Sequence, residues 1–318
     1  MTIQSIKDVI KLNKLYVFGS EWFGIAISTL ALAQVLFLMS REVKNSSYAT
    51  AGDILVILGI LIFLVVMVLW IARGLTIHDK KCTHWNNLTR LSFTALIPII
   101  MFVLSHLLIS IEGFSVKYAY IYLYDYFINY FLALALGVIL GYRLYTKEIG
   151  EGEINYAIII PPLSIGTSIF LATPLLSYYT GNVAQLIYFM VIMGLGIFFF
   201  LYIFIGSIAL SGHITHKSEQ VLPTAMLPVG VSSLILINLL SISSFGTVIS
   251  HIGISIYTVG FISILLWGFE VWNFLVVFII IIRKSRIGYM SAWAYGFPLG
   301  LFATSTFKLQ VFTHFTDF

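Results

Sequence analysis

The most regular feature of the chain is the alternation of long apolar runs with short polar connections. A membrane-spanning helix needs about 20 mostly apolar residues, and nine runs reach that length. The connections are too short for a second folded unit, so a single all-α membrane domain is predicted over residues 20–309. The nine predicted segments are Ser20–Ser40, Asp53–Ala72, Leu91–Ile111, Tyr118–Tyr142, Tyr156–Tyr178, Val183–Ser211, Val221–Ser243, Ile254–Ile282 and Gly288–Leu309.

All seven prolines fall in odd-numbered segments. Proline removes a backbone hydrogen bond and kinks a helix, and in lipid the freed carbonyl needs a partner in protein or in a water-filled cavity. We therefore predict helical hairpins with an inner ring of kinked odd-numbered helices and an outer ring of even-numbered ones. The first segment has no proline, but Gly24 and Ser28 give it a small face. The prolines are Pro98, Pro161, Pro162, Pro174, Pro223, Pro228 and Pro298.

Composition supports the membrane assignment. The 318 residues are 60% hydrophobic and 9% charged, whereas a soluble domain carries about 25% charged residues. The single Cys82 excludes an internal disulfide framework. The formal net charge of +4 is spread over loops, so it does not indicate a nucleic-acid partner. No cofactor or metal is expected, because the spans contain none of the usual phosphate-loop or metal-ligand motifs.

Lys and Arg residues predict the orientation. If the N-terminus is cytoplasmic, 13 of the 17 lie on the cytoplasmic side, as the positive-inside rule requires. Only Arg41, Lys44, Lys117 and Lys308 lie outside. We expect a multi-pass protein of the cell membrane. Within residues 1–19, Lys7, Lys11 and Lys14 recur at helical spacing, and apolar residues occupy the opposite side. This pattern is typical of a helix on the membrane surface.

Several motifs resemble those of a known family. Trp293–Pro298, with the sequence WAYGFP, resembles the WAYTFP signature in the ninth helix of the tellurite-resistance/dicarboxylate transporters, within the superfamily of voltage-dependent and slow-type anion channels. Glu21–Ile25 is similar to the start of that family's first helix. Leu222–Thr224, followed by Pro228, is similar to the start of its seventh helix.

The resemblance implies a fold, a function and a gate. The family fold has ten helices in five hairpins, with kinked odd-numbered helices around a pore, and a homotrimer is implied. The phenylalanine of the motif, here Phe297, is implied to obstruct the pore. Two departures are that Gly296 replaces the usual threonine and that only nine spans are visible. Residues 310–318 are therefore expected to be a short tail, and two alternatives are open: this member is short, or the sequence ends before a tenth helix.

The candidate site residues follow from the predicted inner helices and the motif. Ionisable groups within a membrane are candidates for a functional role, and two are considered for it, Glu270 and His106. Three roles are open for Glu270: it pairs across a subunit interface, it stays protonated, or it couples protons to transport. His106 packs through a hydrogen bond or takes part in proton coupling. The positions predicted to line the pore, with Phe297 as gate, are Gly24, Ser28, Pro98, Ser164, Pro228, Ser232, Pro298, Gly300 and Thr304.

Three functions are compatible with these residues. The first is passive transport of small anions, either inorganic ions or C4-dicarboxylates and oxyanions such as malate, tellurite or sulfite. Few charges in the inner helices favour it, because conduction needs weak binding. The second is a proton-coupled dicarboxylate carrier. The third is an intramembrane enzyme. The predicted spans do not favour it, because they contain no paired acids, no set of metal ligands and no nucleophile with its base.

Overall fold

Nine helical segments make up the computed structural model, which describes residues 18–76, 87–146, 154–215, 222–245, 254–284, 293 and 295–313. The described part contains no strand. Most of the predicted surface helix of residues 1–19 lies outside the described residues. The segments are α1 Ser20–Val43, α2 Ser46–Thr76, α3 Leu88–Glu112, α4 Val116–Thr146, α5 Tyr156–Tyr178, α6 Gly181–Ser211, α7 Thr224–Ser244, α8 Ile256–Arg283 and α9 Gly296–Thr313.

The helices match the predicted spans. By length and composition, α1 to α8 can each cross a membrane. Helix α9 has 18 residues and is not among those eight. Its described part begins at Gly296 and continues past the predicted end to Thr313, and the predicted start at Gly288 lies outside the described residues. The all-helical fold class is confirmed.

Burial separates the odd-numbered helices from the even-numbered ones. Within their most apolar stretches, 56–94% of the residues of α1, α3, α5 and α7 are buried, against 17–33% in α2, α4, α6 and α8. Large apolar side chains on the even-numbered helices are exposed, as lipid contact requires. The odd-numbered helices therefore form the interior of the described chain.

Contacts between the odd-numbered helices follow a closed order. Helix α1 contacts α3, α3 contacts α5, and α5 contacts α7. Helix α7 in turn contacts α9, and α9 returns to α1. The even-numbered helices pack on these five; α2 lies along α1, and α8 lies along α7. A ring around an open pore remains a prediction.

The prolines begin helices more often than they kink them. Pro161 and Pro162 lie at the start of the α-helix Ile160–Gly166 within α5, and Pro228 lies at the start of the α-helix Leu227–Ser244 within α7. A proline there forfeits nothing, because the first N–H groups of a helix have no helical partner. Of the seven prolines, only Pro174 lies inside an α-helix. Pro98 lies in the first turn of the α-helix Leu96–Glu112 within α3, Pro298 lies in the first turn of α9, and Pro223 lies in the 3-10 turn Leu222–Met226. Most of the prolines that were predicted to kink a helix therefore lie where an α-helix begins.

The break in α5 shows how the protein satisfies backbone groups inside the membrane. The α-helix stops at Gly166 and restarts at Ile169. The amide of Asn238, on α7, donates to the carbonyl oxygen of Gly166 at 3.0 Å. Thr167 Oγ1 donates to the Ser164 carbonyl at 2.7 Å. Because lipid offers no hydrogen bonds, these partners require α5 to lie within protein.

Helix α9 packs closely against α1 through two glycines. A Cβ atom on Gly300 would lie 2.7 Å from the Cβ of Ala31 and 3.2 Å from its carbonyl oxygen. A Cβ on Gly296 would lie 2.5 Å from the Cβ of Ser28. The absence of the usual threonine at position 296 therefore has a steric reason here. Small residues allow such close helix contact in membranes.

We predict that Gly300→Ala destabilises the protein. The added methyl group meets rigid backbone on α1, and overpacking of this kind typically costs about 1–3 kcal/mol. A lower melting temperature in detergent would show it. Gly268→Ala on α8 is the matched control, because nothing lies within 4 Å of its added Cβ. Equal melting temperatures for the two variants would contradict the close packing.

Candidate functional site

A cavity of about 390 Å³ lies where the C-terminal parts of all five odd-numbered helices meet. We call it the vestibule. Each odd-numbered helix supplies at least one polar or charged group to its wall. These groups are Gln34 and Arg41 of α1, His106 of α3, Thr173 of α5, Ser241 of α7, and Thr304 and Lys308 of α9.

The wall of the vestibule is cationic. Arg41 and Lys308 carry the positive charge, and His106 adds a polar ring to the wall. Among the described residues that line the cavity, none is acidic. Lys308 is half-buried, and its Nζ donates to Ser241 Oγ at 3.2 Å. Positive charge in a cleft with apolar walls raises the local concentration of anions.

Helix geometry helps to explain why cations are tolerated here. The C-terminal end of a helix carries a partial negative charge, which favours nearby Lys, Arg and His side chains. Arg41 lies in the last turn of α1 and is exposed. This stabilisation acts whatever the function. The convergence of five helices on one cavity is the more specific feature.

His106 lines the vestibule. Its Nδ1 is buried without a hydrogen-bond partner. Its ring centroid lies 5.7 Å from that of Phe170, with the planes tilted by 50°. The aromatic neighbour fits a packing role, and the unpartnered nitrogen leaves a polar atom beside the cavity.

Phe297 lies below the vestibule at the start of α9. Its side chain is 4% exposed and belongs to the main apolar core. Seven residues, or about 10 Å of helix, separate it from Thr304 on the vestibule wall. The neighbouring Pro298 packs against α7, where a Cβ on Gly230 would lie 3.0 Å from the Pro298 Cα. The described interior is therefore filled at this level.

Most of the other residues predicted to line the pore are packed rather than open. Ser164 donates to the Pro161 carbonyl at 2.6 Å, and Ser232 donates to the Pro228 carbonyl at 2.8 Å. Ser28 donates to the carbonyl of Trp293 at 2.6 Å. These hydroxyl hydrogens are engaged within the protein. Gly24, Pro98, Pro228, Pro298 and Gly300 are likewise buried among helices.

Only two sequence-predicted site residues, Thr304 and His106, lie on the vestibule wall. Sequence reasoning missed Arg41 and Gln34, and it assigned Lys308 only a position at the end of a helix. One signal was available. The few basic residues on the predicted outer side include Arg41 and Lys308, and both lie towards the ends of odd-numbered helices.

Glu270 lies elsewhere, between α8 and its neighbours. It is 0% exposed, and its Oε2 accepts from Ser233 of α7 at 2.9 Å and from Ser305 of α9 at 2.7 Å. A carboxyl group buried inside one chain does not fit the hypothesis of pairing across a subunit interface. In the described part of the chain, no three His, Cys, Asp or Glu residues come together as a metal site.

Comparisons with known proteins indicate the class of function. Residues 17–318 match the sequence model of a family described as voltage-dependent anion channel. Two proteins of Methanocaldococcus jannaschii, each named an uncharacterized transporter, are 25% identical over 306 and 308 residues. The alignments cover 91% and 93% of this chain and 84% of each relative. The family and both names point to transport rather than catalysis.

We predict that anions stabilise the folded protein through Lys308. A ligand at ten times its Kd stabilises by about 1.4 kcal/mol. The melting temperature should therefore rise when nitrate replaces a bulky anion such as gluconate at fixed ionic strength. Lys308→Gln should lose most of that rise.

Lys117→Gln is the control for this experiment, because Lys117 is exposed and does not line the vestibule. General salt effects act on both variants alike. The anion site is wrong if Lys308→Gln keeps the full response of the wild type.

Proposed function

The chain belongs to the voltage-dependent anion channel family, and from this premise we propose that small anions cross the membrane along the axis shared by α1, α3, α5, α7 and α9. The observation that carries the proposal is the cationic vestibule, to which all five of these helices contribute. Its charges concentrate anions at the entrance. The pathway then continues between the same helices past Phe297.

The vestibule suits transient binding. Arg41 is exposed and Lys308 is half-buried, so neither cation encloses an anion completely. Beyond the vestibule, the inner faces carry few charges, and a bound anion is free to leave. Conduction requires that combination of attraction at the entrance and weak binding along the path. Inorganic anions, small oxyanions and C4-dicarboxylates are the proposed substrates.

Phe297 is the proposed gate. Its ring fills the interior two helical turns below Thr304, and the adjacent Pro298 is held against α7. A packed aromatic side chain offers no hydrogen bond to a dehydrating anion, so the passage is closed while the ring stays in place. A core residue and a gate are equally buried, and transport measurements separate the two roles.

Orientation follows from the basic residues. With a cytoplasmic N-terminus, the C-terminal ends of the odd-numbered helices lie on the outer side, and the vestibule opens outward. Cell-membrane location and a homotrimer, the latter by family resemblance, complete the proposal. The exposed apolar faces of the even-numbered helices supply surface for lipid and for such contacts.

We predict that Phe297→Ala raises anion flux several-fold in proteoliposomes, because it removes the ring that closes the pathway. Flux assays with chloride, nitrate, sulfite, malate and tellurite would also rank the substrates. Phe302→Ala is the matched control on the same helix, since Phe302 stacks on Phe274 of α8 at 5.4 Å. A folded Phe297→Ala protein with unchanged or lower flux for every anion would refute the gate.

A proton-coupled carrier is the second candidate function, and His106 on the vestibule wall favours it. The two candidates differ in their driving force. We expect passive anion transport to follow the membrane potential, with no accumulation when a pH gradient alone is imposed. Malate accumulation driven by a pH gradient at zero potential, and abolished in His106→Gln, would instead establish the carrier.

A further inference from the structure

A single carboxyl oxygen joins three helices in the C-terminal half of the protein. Glu270 reaches from α8 between α7 and α9, where its Oε2 lies within hydrogen-bond distance of Ser233 Oγ and Ser305 Oγ. Its Oε1 is buried without a partner. The same α9 begins next to Phe297 and, at Thr304, forms part of the vestibule wall.

The two serine hydroxyls at this junction have too few hydrogen atoms for all of its short contacts. Ser233 Oγ also lies 2.8 Å from the Val229 carbonyl oxygen, and Ser305 Oγ lies 2.9 Å from that of Phe302. Four contacts therefore depend on two hydroxyl hydrogens, because each serine has only one to donate. A proton on Glu270 Oε2 supplies a third hydrogen. The carboxyl group then donates to one serine and accepts from the other.

The surrounding charges also disfavour an ionised Glu270. The described part of α7 has no ionisable residue, and α9 contributes only Lys308, which donates to Ser241 instead. On α8 itself, Arg283 is 13 residues away, or about 20 Å along the helix. Tyr257 of α8 and Tyr295, just before α9, are phenols and supply no positive charge. A buried charge without a paired cation is strongly unfavourable.

We propose that Glu270 is a proton-binding site whose neutral carboxylic acid ties α7, α8 and α9 together. Ionisation in alkaline solution removes the donated hydrogen bond and places an unpaired charge between the helices. The junction then loosens, and α9 is freed to move Phe297 out of the pathway. This second step rests on the proposed function, whereas the bound proton does not. It differs from proton coupling because it responds to absolute pH and needs no gradient.

Infrared spectroscopy tests the proton directly. The difference spectrum of wild type minus Glu270→Gln, recorded on purified protein at neutral pH, should contain the C=O stretch of a protonated carboxylic acid. That band should shift in D₂O. Carboxylate bands in its place would overturn the proposal. The glutamine variant keeps the size of the side chain and a donor for one serine, so we expect it to fold.

Flux as a function of pH tests the consequence for transport. With equal pH on both sides of the membrane, wild-type flux should rise several-fold from neutral to alkaline solution, and Glu270→Gln should stay at its neutral value. Asn273→Ala is the control on α8, because its amide bonds only its own helix, at the Phe269 carbonyl, and it should follow the wild type. An unchanged pH profile in Glu270→Gln would refute the switch. Absence of anion flux in both wild type and Phe297→Ala would refute the proposed function and leave the infrared result standing.

Discussion

The need to satisfy every backbone polar group within lipid determines how this chain is arranged. Helix α5 is broken in the middle of the membrane domain, and the carbonyl of Gly166 depends on Asn238 of α7. Such a partner is available only inside protein. Broken helices must therefore lie in the interior, and continuous apolar helices must cover them. The contrast in burial between odd-numbered and even-numbered helices is the result of that requirement.

The same arrangement brings polar groups together at one end of the domain. The vestibule wall joins the C-terminal parts of five helices, so Arg41, His106 and Lys308 meet although they are far apart in sequence. Close contact at Gly296 and Gly300 keeps α9 against α1. Glu270 fixes the opposite side of α9 to α7 and α8. The helix that begins next to Phe297 is thus held from two directions.

Much of the fold could be predicted from apolar length and proline position, because both reflect the local demands of lipid on a helix. The prediction of kinks was less accurate, since a proline in a first turn begins a helix without bending it. The vestibule could not be predicted, because Arg41 and Lys308 become neighbours only through the packing of α1 against α9. For the same reason, the steric need for Gly296 and the serine partners of Glu270 required the three-dimensional structure.

Cysteine accessibility tests the central claim, that the odd-numbered helices enclose a watery path and the even-numbered helices face lipid. Thiols react with charged reagents as thiolates, which form in water. In a chain with Cys82 replaced, single cysteines at Gln34, Ser241 and Thr304 should be modified rapidly from the vestibule side. Cysteines at Leu265 and Phe200, which are exposed on α8 and α6, should not react. Reaction at the lipid-facing positions and protection at the three vestibule positions would contradict the account.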